Sequence, residues 1–185
     1  MRKAIALSLK SNATVAEWLT SPISYHREED AARVLLRFLG KVFSPRHYAF
    51  HYFALARKQW KDRAVGKPEV RDKHYCYIMR SMLALQWVIQ SKCLPPMSVD
   101  ALLNQVSLED EVAVAFAMVR GRKMSCSEQE PADRVPVLDR WIERTLQEAP
   151  ERCESLPAGY ARTGHADRAF MKILHLPRRD PDAWR

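Results

Sequence analysis

The 185-residue chain is long enough for a sizeable hydrophobic core, and its apolar runs are shorter than the roughly 20 residues of a membrane-spanning helix. Its net charge of +8 lies in the first half: residues 1–92 hold 17 Lys or Arg against 7 Asp or Glu, whereas residues 93–185 hold 13 against 15. Such a basic half suits either a polyanionic partner, such as nucleic acid, or a solvated face kept for solubility. Lys10 breaks the apolar N-terminal stretch, so a signal peptide is not expected and the predicted location is cytoplasmic.

Start and stop signals divide the first half of the chain into helices. Asn12 is predicted to cap the second helix, with Trp18 on its apolar face, and Ser44-Pro45 combines an N-cap serine with a proline at the first helical position. Gly66-Lys67-Pro68 is predicted to break the chain between two long helices. The predicted helices are residues 1–10, a short helix after Asn12, 28–42, 45 to about 63, and 69–91.

The second half has weaker signals. Ser98 and Ser107 are predicted N-caps, with the helix after Ser107 continuing through Val119, and Pro150 is predicted to begin a loop that reaches residue 164. Further helices are predicted at 137–146 and 166–174, with irregular chain at 121–136 and a frayed tail at 177–185. Because neither strand alternation nor a domain linker is recognisable, we expect an all-α bundle of about eight helices in a single domain, 1–185.

Signals for metal-dependent or nucleophilic chemistry are weak. His47 and His51 would share a helix face, but Tyr48 stands where a zinc-protease helix carries glutamate. Asp180 and Asp182 have the spacing of a metal-binding pair, but they lie in a proline-broken tail. The four cysteines are not paired at metal-ligand spacing, and no phosphate-binding glycine loop is recognisable. We therefore predict no catalytic residue and no metal site.

A row of cations and aromatic residues follows helical spacing in the fifth predicted helix. Its members are Lys73, Tyr77, Arg80, Ala84 and Trp87. A cation on a largely apolar helix needs a partner, because burying an unpaired charge is costly. That partner is either an internal carboxylate such as Glu17 or a ligand phosphate, which suits lysine as a point charge and arginine as a fork. On the second hypothesis, Lys73, Tyr77 and Arg80 bind phosphates.

The preceding helix offers a second basic set. Arg57 and Lys58 are its candidate phosphate ligands, and aromatic residues interleave with them. The aromatic residues are Tyr48, Phe50, Tyr52, Phe53 and Trp60. At this density most of them are expected in the core, and a platform on which bases stack is the alternative.

Several stretches of the chain resemble a known family. The longest are NATVAEWLTSPISY at 12–25 and EVRDKHYCYIMRSMLALQW at 69–87, the latter followed by Pro95-Pro96. Shorter ones are FSPR at 43–46, HY at 51–52 and ARK at 56–58, with a weaker similarity at 137–139 and 142–143. With them, residues 1–145 resemble the polymerase-beta-superfamily nucleotidyltransferases of the RNA-ligase-associated (RlaP) or YcgL type. On this division, residues 146–185 add a loop, a short helix and a tail.

The resemblance implies a substrate-side domain without its catalytic partner. In that family a mixed αβ palm carries an Asp-x-Asp pair and a third aspartate, which hold two metal ions, and no position of this chain matches that motif. The chain resembles the helical C-terminal domain that follows the palm. It would bind nucleotide or nucleic-acid phosphates, with Lys73, Tyr77 and Arg80 bordering the nucleotide site, without catalysing transfer alone. Mg²⁺ and a nucleoside triphosphate would enter only with a palm domain supplied.

The alternative that the resemblance leaves open is a binding module. A helical domain without its palm would expose the face that formerly packed on the palm, and an exposed apolar face attracts a partner. That partner would be another protein, which makes the chain a stand-alone interaction module or inhibitor, or a second copy of itself. No membrane partner is expected.

Overall fold

The computed structural model describes residues 2–24, 28–125, 133–159 and 163–176. Within these ranges the secondary structure is helical, apart from an isolated antiparallel bridge between Glu69 and Asp133. The all-α prediction is confirmed, with nine helices in the described ranges in place of about eight. They are α1 (Arg2–Leu9), α2 (Ala13–Thr20), α3 (Glu29–Val42), α4 (Pro45–Arg63), α5 (Asp72–Ser91), α6 (Val99–Leu103), α7 (Asp110–Ser125), α8 (Pro136–Glu154) and α9 (Thr163–Leu174).

The chain forms two compact units, residues Met1–Phe43 with Gly159–Arg185, and residues Ser44–Ala158. The expectation of a single domain stays a prediction. No helix in the described ranges has both the length and the apolar character needed to cross a bilayer. The tail at 177–185, with Asp180 and Asp182, lies outside the described residues, as do 126–132 of the stretch predicted to be irregular.

The first unit packs α1, α2 and α3 with α9. Its core consists of apolar side chains from three of these helices: Ile5, Leu35, Phe38, Val42, Ala166 and Ala169. The predicted cap of α2 is confirmed, because Asn12 Oδ1 accepts a hydrogen bond from the Thr14 N–H at 3.0 Å. The placement of Trp18 on the apolar face is wrong, since its side chain is 71% exposed. This two-turn helix packs through the small residues Ala13 and Ala16, which lie on a different side from Trp18.

In the second unit, α4 and α5 form an antiparallel helical hairpin. Ser81 Oγ lies 3.0 Å from Gln59 Oε1, and Arg63 lies over the ring of Tyr77, so residue numbers rise on one helix as they fall on the other. Helices α7 and α8 pack against this hairpin and against each other, and α6 packs on α5. The largest fully buried side chains of the unit include Tyr48, Tyr52, Tyr75, Ile78, Met82, Leu85, Phe116 and Leu138.

Local signals and one long-range bridge explain where α4 begins, where the chain reverses, and where α5 begins. Ser44 Oγ accepts a hydrogen bond from the His47 N–H at 3.4 Å and Pro45 is the first helical residue, which confirms the predicted start of α4. The chain then reverses at Gly66, whose φ of +71° favours glycine. Helix α5 begins at Asp72, three residues later than predicted, because Glu69 is held in the bridge with Asp133.

Ser98 caps α6 as predicted, through a hydrogen bond from the Ala101 N–H. The predicted start of α7 at Ser107 and the predicted irregular chain from residue 121 are both wrong. That helix begins at Asp110, since the N–H groups of residues 112 and 113 both bond to the carbonyl of Glu109. It then continues to Ser125, through residues 121–125 that were expected to be irregular.

Helix α8 also continues further than predicted, because it runs through Pro150 to Glu154. A proline inside a helix removes one backbone hydrogen bond and costs stability. Here Ala149 and Cys153, on either side of Pro150, are both buried. Their packing offsets the missing bond and keeps this last turn helical.

Candidate nucleic-acid interface

A pocket of about 300 Å³ opens where α4 ends and α5 begins. We call its lining residues the cationic pocket: Arg63, Lys67, Glu69, Arg71 and His74. They come from the last turn of α4, the connection, and the first turn of α5. The reversal of the chain at Gly66 therefore brings four basic side chains and one acid to the same pocket, all of them from the stretch 63–74.

Arg134 fixes the backbone beneath these side chains. Its Nη1 donates hydrogen bonds to the carbonyl oxygens of Ala64 at 2.7 Å and of Lys67 at 2.9 Å. Its guanidinium carbon also lies 5.5 Å from the centroid of the Trp60 ring. The last carbonyls of a helix lack helical partners, so these bonds stabilise the end of α4 and the connection that follows it. The cationic pocket is thus presented by an anchored backbone.

A partly buried acid holds Arg134 in place. Asp139 accepts hydrogen bonds from Arg134 Nε at 2.8 Å and from the Tyr75 hydroxyl at 2.7 Å, while that hydroxyl accepts the Val135 N–H at 3.1 Å. Burial raises the pKa of Tyr75 far above its ordinary value, and the adjacent Asp139 raises it further. The same carboxylate raises the pKa of Arg134. The tyrosine is therefore a neutral structural bridge between α5 and α8.

The charges around the cationic pocket are predominantly positive. Asp72, in the first turn of α5, is paired with Arg122 of α7 through Nε to Oδ2 at 3.0 Å and Nη2 to Oδ1 at 2.8 Å. The pKa of His74 is lowered from 6.5, first by burial and then by the charges of Arg63 and Arg71. Burial is the larger cause, and the neighbouring cations act in the same direction.

The structure places two of the three predicted phosphate-binding residues of α5 beside this pocket. Lys73 precedes the pocket residue His74 in the first turn of α5, and its charge is one of the smaller causes that lower the pKa of His74. Tyr77 is 47% exposed, and Arg63 and Lys123 lie 5.7 Å and 5.9 Å from the centroid of its ring. Its ring therefore borders two cations, one from α4 and one from α7.

The remainder of the predicted row leads away from the pocket. Arg80 Nε donates to the carbonyl of Met97 at 3.3 Å, and its Nη2 lies 3.1 Å from the Met97 sulfur. Ala84 is fully buried, and Trp87 Nε1 donates to Cys93 Sγ at 3.3 Å. Arg80 therefore has a partner within the second unit, and the pairing with Glu17 stays a prediction.

The second basic set of the sequence does not line the cationic pocket. Arg57 and Lys58 are exposed on α4, where the Arg57 guanidinium carbon lies 5.2 Å from the centroid of the Phe53 ring. Four of the five aromatic residues predicted for the core are buried, with Phe50 partly so: Tyr48, Tyr52, Phe53 and Trp60. The stacking-platform alternative is therefore wrong for these four side chains.

Sequence reasoning missed the basic residues that line the pocket, although a signal was present. Arg63 precedes the break at Gly66-Lys67-Pro68, and Lys67 lies within it. Arg71 and His74 follow it. Cations that flank a helix break come together when the two helices form a hairpin. Helical spacing relates residues of one helix, so it does not reveal a set that spans two.

In the described part of the chain, no group of three or more His, Cys, Asp or Glu side chains could hold a metal ion. His47 Nδ1 lies 2.7 Å from Ser44 Oγ, and the His51 ring packs edge-on against Tyr52. Burial raises the pKa of Cys76, and it raises that of Cys153 to about 11, so neither is a thiolate at neutral pH.

The fold and this site define a helical protein with a basic surface pocket anchored at a helix hairpin. The chain belongs to the RNA repair pathway DNA polymerase beta family (RlaP), whose sequence profile matches residues 1–172, and the predicted resemblance is confirmed. It is 32% identical over 158 residues to the uncharacterized protein YcgL of Bacillus subtilis (strain 168). This match covers 85% of the chain and 60% of YcgL, so the chain spans less than two thirds of that relative. No solved structure matches the chain.

Proposed function

We propose that this chain is the helical part of a nucleotidyltransferase-like protein, and that it binds nucleotide or nucleic-acid phosphates at the cationic pocket. The observation that carries the proposal is the lining of that pocket, where Arg63, Lys67, Arg71 and His74 surround a single carboxylate, Glu69. Family membership supports it, because RNA repair and polymerase chemistry both act on phosphate esters.

The residue types match this ligand. Arginine holds a phosphate with two parallel N–H···O bonds, and lysine adds a compact point charge. Arg63 at the end of α4 and Arg71 at the start of α5 reach the pocket from two helices. Each charge-assisted bond contributes roughly 1.5–3 kcal/mol. A few such bonds, without bridging metal ions, give an affinity that is modest and sensitive to salt.

The surface beside the pocket extends the proposed site. Lys73 adds a charge, and the exposed ring of Tyr77 lies between Arg63 and Lys123. A nucleotide whose phosphate lies in the pocket has this ring beside it for its sugar or base. Arg57, Lys58 and Arg80 do not line the pocket, and the proposal does not require them.

Fluorescence anisotropy with a 5′-labelled single-stranded RNA tests the proposal on the whole chain. We expect Lys67→Gln and Arg71→Gln each to weaken binding about tenfold, equivalent to about 1.4 kcal/mol. Lys92→Gln is the matched control, because it removes one positive charge from the opposite end of α5. If Lys92→Gln weakens binding as much as the pocket variants do, the RNA is held by overall charge and the proposed site is wrong.

The proposal includes no catalysis by this chain alone. Two-metal phosphoryl transfer needs clustered carboxylates, and the described residues do not offer three suitable ligands together. Mg²⁺ and a nucleoside triphosphate thus belong to a palm domain supplied separately. Metal-dependent transfer of a labelled nucleotide by the purified chain would contradict this part of the proposal. A cytoplasmic location remains an expectation.

A second function, as a protein-interaction module or inhibitor, is favoured by one exposed face of α7. Val114 and Met118, one turn apart on that face, are 62% and 56% exposed. Neighbouring exposed apolar side chains favour burial against a partner protein or a second copy of the chain. Light scattering across a range of concentrations tests self-association. A strictly monomeric chain whose partner binding is unaffected by Met118→Glu contradicts this second function.

A further inference from the structure

A second basic cavity lies within the first unit, in a groove between α3 and α9. It has a volume of about 560 Å³, within the range of small-molecule sites. On α3 the lining residues are Val34, Arg37, Phe38 and Lys41, and on α9 they are His165, Arg168, Ala169 and Lys172. On each helix the positions are spaced three, one and three residues apart, so each set forms one stripe along its helix. We call this cavity the α3/α9 groove.

The lining of the α3/α9 groove has four cations, a histidine and no carboxylate. Lys41 and Lys172 lie in the last turns of their helices, where a positive charge complements the helix dipole. That explanation does not extend to Arg37 and Arg168, which lie one turn earlier. All four cations are exposed, so water and salt screen part of their mutual repulsion, and an anion in the groove would relieve the remainder.

The buried floor of the groove strengthens its attraction for an anion. Phe38 and Ala169 are 3% and 6% exposed and belong to the core of the first unit. Charges above such an apolar floor are less screened by water than charges on an open surface. Arg168 is held in place on α9, because its Nη2 lies 3.1 Å from His165 Nδ1 and its Nε donates to the Gly164 carbonyl at 3.1 Å. The other N–H groups of its guanidinium can donate to a ligand.

We propose that the α3/α9 groove binds a ligand with two or more adjacent phosphate groups. Arg37 with Lys41, and Arg168 with Lys172, are pairs one turn apart, separated by about 6 Å along each helix. Each pair can therefore bind two neighbouring phosphate groups, one at the arginine and one at the lysine. Arginine supplies the fork and lysine the point charge that phosphates accept, and a ligand of this kind cancels the repulsion in the groove. The site uses residues different from those of the cationic pocket and does not depend on it.

Lysine-modification footprinting by mass spectrometry tests the proposal on the whole chain, with inorganic tripolyphosphate as the probe. We expect tripolyphosphate to protect Lys41 and Lys172 from acetylation, while the exposed Lys10 remains reactive. Lys67 reports on the cationic pocket in the same experiment. Protection of Lys67 without Lys41 and Lys172 overturns the groove site alone, whereas protection of only the groove lysines contradicts the cationic pocket and leaves this inference intact.

Variants of α3 and competing anions complete the test. In Arg37→Gln, we expect half-maximal protection of Lys41 and Lys172 to require about ten times more tripolyphosphate. Arg33→Gln, which removes the same charge at a position paired with Asp30 and outside the groove, should leave it unchanged. If single-stranded RNA protects the groove lysines at a lower total phosphate concentration than tripolyphosphate does, the ligand is a nucleic-acid backbone. If tripolyphosphate protects them at the lower concentration, the ligand is a free polyphosphate. Equal protection by poly-glutamate overturns the assignment to phosphate.

Discussion

The carboxylate of Asp72 is held by two hydrogen bonds from the Arg122 guanidinium, at 3.0 Å and 2.8 Å. The pair ties α7 to the first turn of α5. It also neutralises an acid that would otherwise lower the positive potential beside the cationic pocket. A single bidentate contact thus supports both the packing of the second unit and the charge of the proposed site.

Removal of Arg122 should therefore destabilise the protein. Arg122→Ala leaves the Asp72 side chain, 15% exposed, without this partner, and we expect a loss of about 1–2 kcal/mol after allowance for the exposure of Arg122. Arg120→Ala is the control, because it breaks a pair with Asp100, which is 73% exposed, and should cost less than about 1 kcal/mol. Urea unfolding followed by tryptophan fluorescence measures both. Equal losses in the two variants would contradict the structural role given to the Asp72 pair.

Arg80 and Lys73 should separate stability from binding. Arg80→Ala removes the bonds to Met97, so we expect a loss of about 1–3 kcal/mol with little change in RNA affinity. Lys73→Ala should leave the melting temperature unchanged and weaken binding several-fold, because its charge acts beside His74. Thermal melts measure the stability of both variants, and fluorescence anisotropy measures their RNA affinity. If Arg80→Ala keeps native stability and loses RNA binding, then Arg80 is a phosphate ligand together with Lys73 and Tyr77, and its structural role is contradicted.

RNA binding should strengthen as the pH falls. In the free chain the pKa of His74 is lowered below 6.5 by burial and by Arg63, Arg71, Lys73 and Lys67. A bound phosphate raises that pKa, so binding takes up a proton. The gain in affinity is complete below the free-state pKa and is lost as the pH rises through the bound-state pKa. Because the shift in the free chain favours neutral His74, folding stability should decline slightly over the same fall in pH.

Anisotropy titrations between about pH 8 and pH 5.5 measure this dependence. Phosphodiesters do not titrate in that range, so the RNA itself contributes none of it. His74→Gln should flatten the profile, whereas His47→Gln, on α4 and outside the pocket, should preserve it. A profile that stays unchanged in His74→Gln excludes His74 from the site.

Replacement of Pro150 should stabilise α8. Pro150→Ala restores an N–H that can bond to the carbonyl of Leu146 in a helix that already continues to Glu154. We expect a gain of about 1–3 kcal/mol, because proline is the least favourable residue inside a helix. Pro136→Ala, at the first helical position of the same helix, should give no gain, since a proline is well accommodated there. The urea concentrations at the unfolding midpoints of the two variants test this prediction. A loss of stability in Pro150→Ala would mean that packing of the proline ring contributes more than the restored hydrogen bond.

The helices that the sequence predicted well are those with strong local signals. Asn12, Ser44-Pro45 and Gly66 act through bonds or dihedral angles within a few residues, and each is found in its predicted role. The extension of α8 through Pro150 was not predictable in this way. It depends on buried neighbours that pack on distant parts of the chain, and their contribution exceeds the local cost of the proline.

The amino-acid sequence by itself determined the all-helical class, the family, and the concentration of positive charge in the first half of the chain. These properties depend on hydrogen bonds between near neighbours in the chain, on sequence motifs, and on composition. The tertiary structure decided which cations act together. Arg63 and Arg71 meet because two helices fold into a hairpin, and Arg37 and Arg168 line one groove although 131 positions separate them in the sequence. Spacing along one helix cannot reveal such sets, because electrostatic interaction depends on distance in space.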